Sequence, residues 1–383
     1  MRLHLDLGVS QKPKHGEELC GDSVYVSKTA GSTIVILSDG LGSGVKANIL
    51  SRLTATMAGK MLEKGGRLDD VIEALAETLP VCKVRHLAYS TFTILQVSQD
   101  GRVYLAEYDN PTTYLGGKSG LKTVDRIQRE IGGRVIHEAY FDADDGDWMV
   151  LASDGVLHAG VGGIWDLGWG WDRVGAYIEK MARHGDPAQD QADELLDLVN
   201  KLYAGSPGDD ASVAVVQVRR PRRLAVLIGP PERRERDDEV VRVLTESAGR
   251  KVVCGGTTGN MVARVLGRRI DVDLASPSDE VPPVGLMEGV DLVTEGMLTM
   301  AKCLDNMRRD APARRFAGRR DGASLLTTEL LQADEIEFLV GRAINPAHQS
   351  PDIPSSLALK QQMVEQVTAE LRRRGRLVRT RYF

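Results

Sequence analysis

Apolar and polar positions change rhythm several times along the chain, and the first 218 residues read as blocks of strands and helices. Residues 24–40, VYVSKTAGSTIVILSDG, predict two strands joined near Ala30 and Gly31 and ending in a glycine loop. From Ala47 to Glu63 the apolar residues Ile49, Leu50, Leu53, Met57, Met61 and Leu62 recur at helical spacing. From Asp69 to Leu79 a second helix carries Val71, Ile72, Leu75 and Leu79 on one face and stops at Pro80. TFTILQVS (91–98) and GRVYLAEYD (101–109) alternate as strands about a Gln99-Asp100-Gly101 turn. DWMVLASDG (147–155) is a buried strand running into a loop, Trp165–Arg183 and Ala188–Tyr203 are helices, and ASVAVVQVR (211–219) closes the block as a strand. The N-terminal MRLHLDLGVS also opens as a strand. Hairpins with helices between them give an α+β class.

After RRPRR (219–223) strands and helices alternate one by one. LAVLIG (224–229), KVVCGG (251–256), RIDVDL (269–274), VDLVTEG (290–296), EIEFLVGRA (335–343) and LVRTRYF (377–383) are strand candidates. Helices are expected over Asp237–Ala248, Thr258–Leu266 and Ser356–Arg373. This rhythm predicts a smaller α/β domain with a mostly parallel sheet. Arg308–Gly322 has no periodicity and reads as a basic loop. Two domains are therefore expected, at 1–218 and 224–383.

Composition supports the division. The chain has 383 residues, 42% hydrophobic, enough for more than one core. The net charge of −5 hides an asymmetry: 21 Lys+Arg stand against 31 Asp+Glu up to Val218, a balance of −10. From Arg219 onward 28 stand against 23, a balance of +5, and nearly all those cations are arginine. No run of about 18 apolar residues is present, and the N-terminus lacks a secretory apolar core, so a cytoplasmic protein without membrane partners is expected. Cys20, Cys82, Cys254 and Cys303 are widely spaced, as are the seven histidines, which argues for reduced thiols and against a nitrogen- or sulfur-ligated metal.

The candidate chemistry lies in four aspartate turns: CGDS at Asp22, SDGLGSG at Asp39, ASDG at Asp154 and SPGDDAS at Asp209 and Asp210. Asp39 and Asp154 each end an apolar run and are followed by glycine, which lets backbone or ligand approach closely. Converging carboxylates repel unless cations sit among them, and all-oxygen donors suit Mg²⁺ or Mn²⁺. Two such ions about 3.5–4 Å apart would activate water against a phosphoryl group. Each Asp-Gly taken alone is a turn as readily as a ligand.

Taken in order, the four turns resemble the metal-dependent PP2C-type serine/threonine phosphatases, in the bacterial SpoIIE/RsbU-like branch. DNPTTYLGG (109–117) is similar to that family's hairpin after the central strands. The resemblance covers about residues 1–218. It implies an α-β-β-α sandwich, with two antiparallel sheets flanked by helices and two Mn²⁺ or Mg²⁺ ions at one end. It implies that Asp39 bridges the ions, that Asp154 and Asp209 complete the first site, and that Asp22 and the Gly40 carbonyl hold the second. Asp39 and Asp22 are thereby the catalytic candidates, and Asp210 is a neighbour that tunes the turn. The implied activity is hydrolysis of phosphoserine and phosphothreonine in a protein, such as a small phosphorylated regulator. No arginine precedes Asp22 in the place where many relatives grip phosphate; Lys12, Lys14 or His15 are the available cations, and Glu17 and Glu18 are possible outer ligands.

In the second half, Gly255, Gly256, Thr257 and Thr258 form a glycine-rich turn between strand and helix. It is a weak anion-binding candidate, beside the plainer reading of Thr258 as a helix cap. Glu295 and Gly296 stand at a similar turn, and the two become neighbours if both end the same edge of a parallel sheet. The role of this domain is regulatory or ligand-binding on this reading. Basic residues without interleaved aromatics argue against nucleic acid as a partner. The rival to an enzyme is a non-catalytic scaffold or ligand sensor built on a phosphatase-like module.

Overall fold

The structure is a computed structural model, and it describes residues 3–29, 31–78, 90–131, 133–273, 284–309, 316, 318–343 and 356–383. The chain divides into two compact units, Met1–Arg220 and Pro221–Phe383.

The first unit stacks two antiparallel sheets. One contains β1 (His4–Lys12), β6 (Tyr114–Gly117), β7 (Gly120–Leu121), β10 (Trp148–Ala152) and β11 (Ala211–Arg219), in the order β1-β11-β10-β6-β7. The other contains β2 (Ser23–Lys28), β3 (Ser32–Ser38), β4 (Phe92–Ser98), β5 (Arg102–Tyr108), β8 (Ile127–Ile131) and β9 (Arg134–Asp142), in the order β2-β3-β4-β5-β9-β8. Alternation along each strand builds three apolar layers. On β3, Val35 and Leu37 face the layer between the sheets, where they meet Met149 and Leu151 of β10 and Ala214 and Val216 of β11. Ile34 and Ile36 face the other way, toward the helices α1 (Gly44–Glu63) and α2 (Leu68–Thr78). On β10 and β11, Val150, Ala152, Val213 and Val215 face α4 (Trp171–Ala182) and α5 (Ala188–Leu202). This is the expected α-β-β-α sandwich.

Three details differ from the expectation. First, α1 buries only the C-terminal part of its large apolar stripe. Leu62 is buried and Met57 and Met61 pack against the core as expected, but Ile49 and Leu53 are exposed, and the rest of the buried face is Ala47, Ser51, Thr54, Ala55, Ala58 and Gly59. Small residues let the helix lie close to the sheet; a Cβ on Gly59 would run into the Tyr25 ring. Second, the helix expected from Trp165 begins at Trp171, because Gly168 (φ +80°) and Gly170 (φ +75°) take the left-handed conformation just before it. Third, β8 and β9 gave no clear signal, since β8 is short and mostly exposed. The expected end of α2 at Leu79 and Pro80 lies outside the described residues, as does Cys82, while Cys20, Cys254 and Cys303 are free thiols. The α1 finding sets a stability contrast for urea denaturation. Ile36→Ala should cost about 2–5 kcal/mol, and Ile49→Ala less than about 0.5 kcal/mol.

The second unit holds one seven-stranded sheet. Its strands are β12 (Arg223–Ile228), β13 (Arg250–Cys254), β14 (Asp271–Asp273), β15 (Val284–Met287), β16 (Val290–Thr294), β17 (Glu335–Val340) and β18 (Leu377–Tyr382). Five are parallel, in the order β16-β13-β12-β17-β18, and β14 and β15 add an antiparallel edge. The helices α6 (Asp237–Glu246) and α7 (Gly256–Leu266) pack on one face through Val240, Leu244 and Val262. On the other face α8 (Met297–Arg308), α9 (Gly322–Gln332) and α10 (Ser356–Arg373) pack through Met300, Leu326 and Val367. The mostly parallel α/β class holds; α9 and β15 were missed, and α7 starts two residues before Thr258. Of the basic stretch expected as a loop, Arg308 ends α8 and Gly322 opens α9, and residues 310–315 and 317 lie outside the described residues.

Candidate metal centre

Strand register brings the aspartate turns to one end of the sandwich. Ser23 pairs with Ser38, so Asp22 and Asp39 are the next residues outward on adjoining strands. Ala152 pairs with Val213 in the other sheet, so Asp154 and the Asp209–Asp210 turn lie abreast at the ends of β10 and β11. The main chain at each corner is pinned. Asp39 O accepts from Thr91 N at 2.9 Å and from Ser90 Oγ at 3.0 Å. Asp22 O accepts from Gln11 Nε2, and Asn48 Nδ2 donates to Cys20 O just before it. Ser153 N donates to Ser212 O, and Ser212 N returns a bond to Ser153 Oγ.

Both glycines that follow the strand-end aspartates are forced by close approach. A Cβ on Gly40 would collide with the Ala47 carbonyl of α1, and a Cβ on Gly155 with the Asp210 carbonyl. Asp154 opens the short helix α3 (Asp154–Leu157), and Tyr203 Oη donates to Gly155 O at 2.8 Å, holding that turn.

The carboxylates share one electrostatic field. Burial first, then the charges of Asp22, Asp154 and Asp209, push Asp39 up to about 9. Burial, with Asp210 and Asp154, pushes Asp22 up to about 7; the Ser212 and Ser153 hydroxyls nearby favour its charged form without forming a hydrogen bond to it. Asp154 is raised by burial and by Asp209, and His158 opposes the shift. Burial and Asp22 also push the Cys20 thiol up to about 12, which makes it a poor nucleophile.

Two further observations bear on what fits there. Both carboxylate oxygens of Asp22, and Oδ2 of Asp210, are buried with no hydrogen-bond partner. Buried carboxylates left bare are costly, and divalent cations are the partners that oxygen donors of this kind satisfy. Asp154, His158 and Asp209 bring one ligand atom each within 4.8 Å of one another. His158 Nδ1 lies 3.9 Å from Asp154 Oδ2. The residues present therefore fit a divalent metal.

Asp22, Asp39, Asp154 and Asp209 are thus brought together, with Gly40 buried at the α1 contact. Asp210 is buried more deeply than Asp209, and its Oδ1 accepts from Lys14 N at 3.0 Å. Lys14 thereby approaches through its backbone, and Glu17 accepts from Ser43 Oγ at the start of α1. His158, one helical turn after Asp154, stands with Asp154 and Asp209 as a candidate nitrogen donor that the wide spacing of the histidines does not reveal. In the second unit, Gly255 N donates to Thr294 O, and Gly296 lies beside Gly255. Gly256 to Thr258 form the first turn of α7, with Glu295 close to Gly256, so a carboxylate of the chain itself stands at that helix end.

Comparison with known proteins agrees with the first unit. The PP2C phosphatase domain of the cell fate determinant SpoIIE from Bacillus subtilis, solved with a fragment of its regulatory domain, is 21% identical with a TM-score of 0.48. That match covers 57% of this chain and 64% of the other. The RsbU and RsbW domains of a Mycobacterium tuberculosis protein are 14% identical with a TM-score of 0.50, over 64% of this chain and 68% of that one. No curated protein matches the chain. The family model of stage II sporulation protein E (SpoIIE) matches residues 29–219. With its two-sheet sandwich, this segment of the chain is a SpoIIE-family domain of the PP2C phosphatase fold.

Proposed function

We propose that the first unit is a metal-dependent protein phosphatase that hydrolyses phosphoserine and phosphothreonine, with a small phosphorylated regulator as substrate. The second unit is its regulatory partner on this reading, and the protein works in the cytoplasm. The observation that carries it is the pair of bare, buried Asp22 oxygens within the field of Asp39 and Asp154.

Asp39, Asp154 and Asp209 would hold one Mn²⁺ or Mg²⁺, and Asp22, Asp39 and the Gly40 carbonyl a second. Bound divalent ions supply Lewis-acid charge that makes water nucleophilic near neutral pH and offsets the phosphoryl oxygens. The chain's own contribution is to fix the donors on rigid strand ends, so that little reorganisation accompanies the reaction.

Calorimetric titration of the EDTA-stripped full chain with Mn²⁺ tests this directly. Two equivalents per chain are expected, and Asp22→Asn should lose one of them. No heat of binding, together with no release of phosphate from p-nitrophenyl phosphate, would leave a scaffold as the better reading.

A further inference from the structure

The segment between α3 and α4 lies outside the carboxylate cluster and yet closes on it. Val161 N donates to His158 O at 3.1 Å, and Gly170 N donates to Leu157 O at 2.9 Å, so both ends of the loop meet at residues 157 and 158. Gly168, at φ +80°, packs so near that a Cβ there would lie 2.7 Å from His158 Cα. Within the loop, Gly163 N and Trp165 N both donate to Gly160 O, and Gly162 N donates to Trp165 O. Arg173 clamps it from α4: Nη1 donates to Trp169 O at 3.0 Å, and the guanidinium stands 5.2 Å from the centre of the Trp165 ring. The backbone is therefore held by its own bonds.

This fixed frame presents apolar side chains to solvent. Val161 is 52% exposed, Ile164 60% and Leu167 88%. Between Ala159 and Gly170 the one ionisable side chain is Asp166. An ordered, nearly uncharged apolar rim next to an acidic cluster has no role in holding the donors, because its side chains point away from the packed core. Such exposed apolar groups on a rigid loop are what a protein partner buries.

We propose that this loop docks the protein substrate and selects phosphoserine or phosphothreonine flanked by apolar side chains, an inference that rests on the phosphatase reading above. The loop starts from and returns to His158, a member of the cluster with Asp154 and Asp209. A phosphorylated segment that reaches these residues brings its neighbouring positions over Ile164 and Leu167. A small phosphate ester has nothing to place there. The phosphate supplies the charge that the site reads, and the flanking residues supply the discrimination between proteins.

The test uses the full chain loaded with Mn²⁺ and two synthetic phosphothreonine peptides of equal charge. One carries leucine and valine on both sides of the phosphothreonine, the other serine and glycine. The apolar peptide should show a kcat/KM about tenfold higher or more, the scale at which apolar contacts discriminate substrates. The double variant Ile164→Ser/Leu167→Ser should bring the ratio of the two peptides close to one. Equal kcat/KM values in the unaltered protein, or a preference that survives the double variant, would overturn the inference. So would loop-dependent binding to phosphatidylcholine–phosphatidylglycerol vesicles without peptide discrimination, which would assign the loop to a lipid surface. Turnover of p-nitrophenyl phosphate separates the two levels. If it is hydrolysed and the peptides are not distinguished, the loop inference alone fails; if neither it nor any peptide is hydrolysed, the phosphatase reading fails and takes the inference with it.

Discussion

Asp39→Asn is expected to reduce Mn²⁺-dependent hydrolysis of p-nitrophenyl phosphate by about 10²–10³-fold or more, the scale seen when one central electrostatic contact to a reacting centre is removed. Stability should move in the opposite direction. Burial and the surrounding carboxylates raise Asp39 to about 9 and Asp22 to about 7 when no cation is bound. A free aspartate in the unfolded chain titrates near ~3.9. The folded state thus binds these protons more tightly, so their stabilisation is complete below about pH 4 and is lost as pH rises through 7 and 9. In EDTA the melting temperature of the natural protein should fall between pH 5 and 9, and Mn²⁺ should restore it. Asparagine carries no charge to repel its neighbours. Asp39→Asn should therefore melt above the natural protein in EDTA at pH 8, and respond less to Mn²⁺. Turnover at the natural rate, or an unchanged Mn²⁺ response, would remove Asp39 from the centre.

The carboxylates behind both effects were legible in the sequence, and other parts of the molecule were not, according to whether the signal is local to the chain. Asp39 and Asp154 were visible because each ends a hydrophobic run, and Asp22 and Asp209 because each stands just before a strand; a strand end on a rigid sheet is where a carboxylate can be held. The alternation on β3, β10 and β11 was equally plain: Val35 and Leu37 point inward, Ile34 and Ile36 outward, and the two-sheet architecture follows from that. On α1 the same logic misled. Ile49 and Leu53 look like a core face, but the closest packing belongs to Ala55, Ala58 and Gly59, and hydrophobic size carries no information about how near a backbone must come. His158 was hidden for a different reason. Its partners, Asp154 and Asp209, are joined by the register of β10 on β11, and a pairing between distant strands is not a local property of the sequence. The second unit shows the limit of pattern: its strand order was not readable, although its parallel class was.

Those close backbone approaches carry the other large effect. Gly155→Ala is expected to cost about 1–3 kcal/mol in urea unfolding, the range for forcing extra volume into a packed site. The added methyl would meet the Asp210 carbonyl, which is backbone and cannot rotate aside. To make room, α3 must shift against the start of β11, and that separates Asp154 from Asp209. Mn²⁺ affinity should therefore fall along with stability, whereas a substitution that merely loosens the core would leave the donors together. Gly40→Ala should behave alike at the other corner, because its methyl would meet the Ala47 carbonyl and move α1 away from Asp39. Gly31→Ala is the reference, since nothing lies within 4 Å of the added methyl and its backbone is not left-handed. It should change stability by less than about 0.5 kcal/mol and leave the Mn²⁺ titration as it is. If Gly155→Ala and Gly40→Ala matched this reference in both measurements, the glycines after the two aspartates would be ordinary turn residues and not the contacts that set the spacing of the donors.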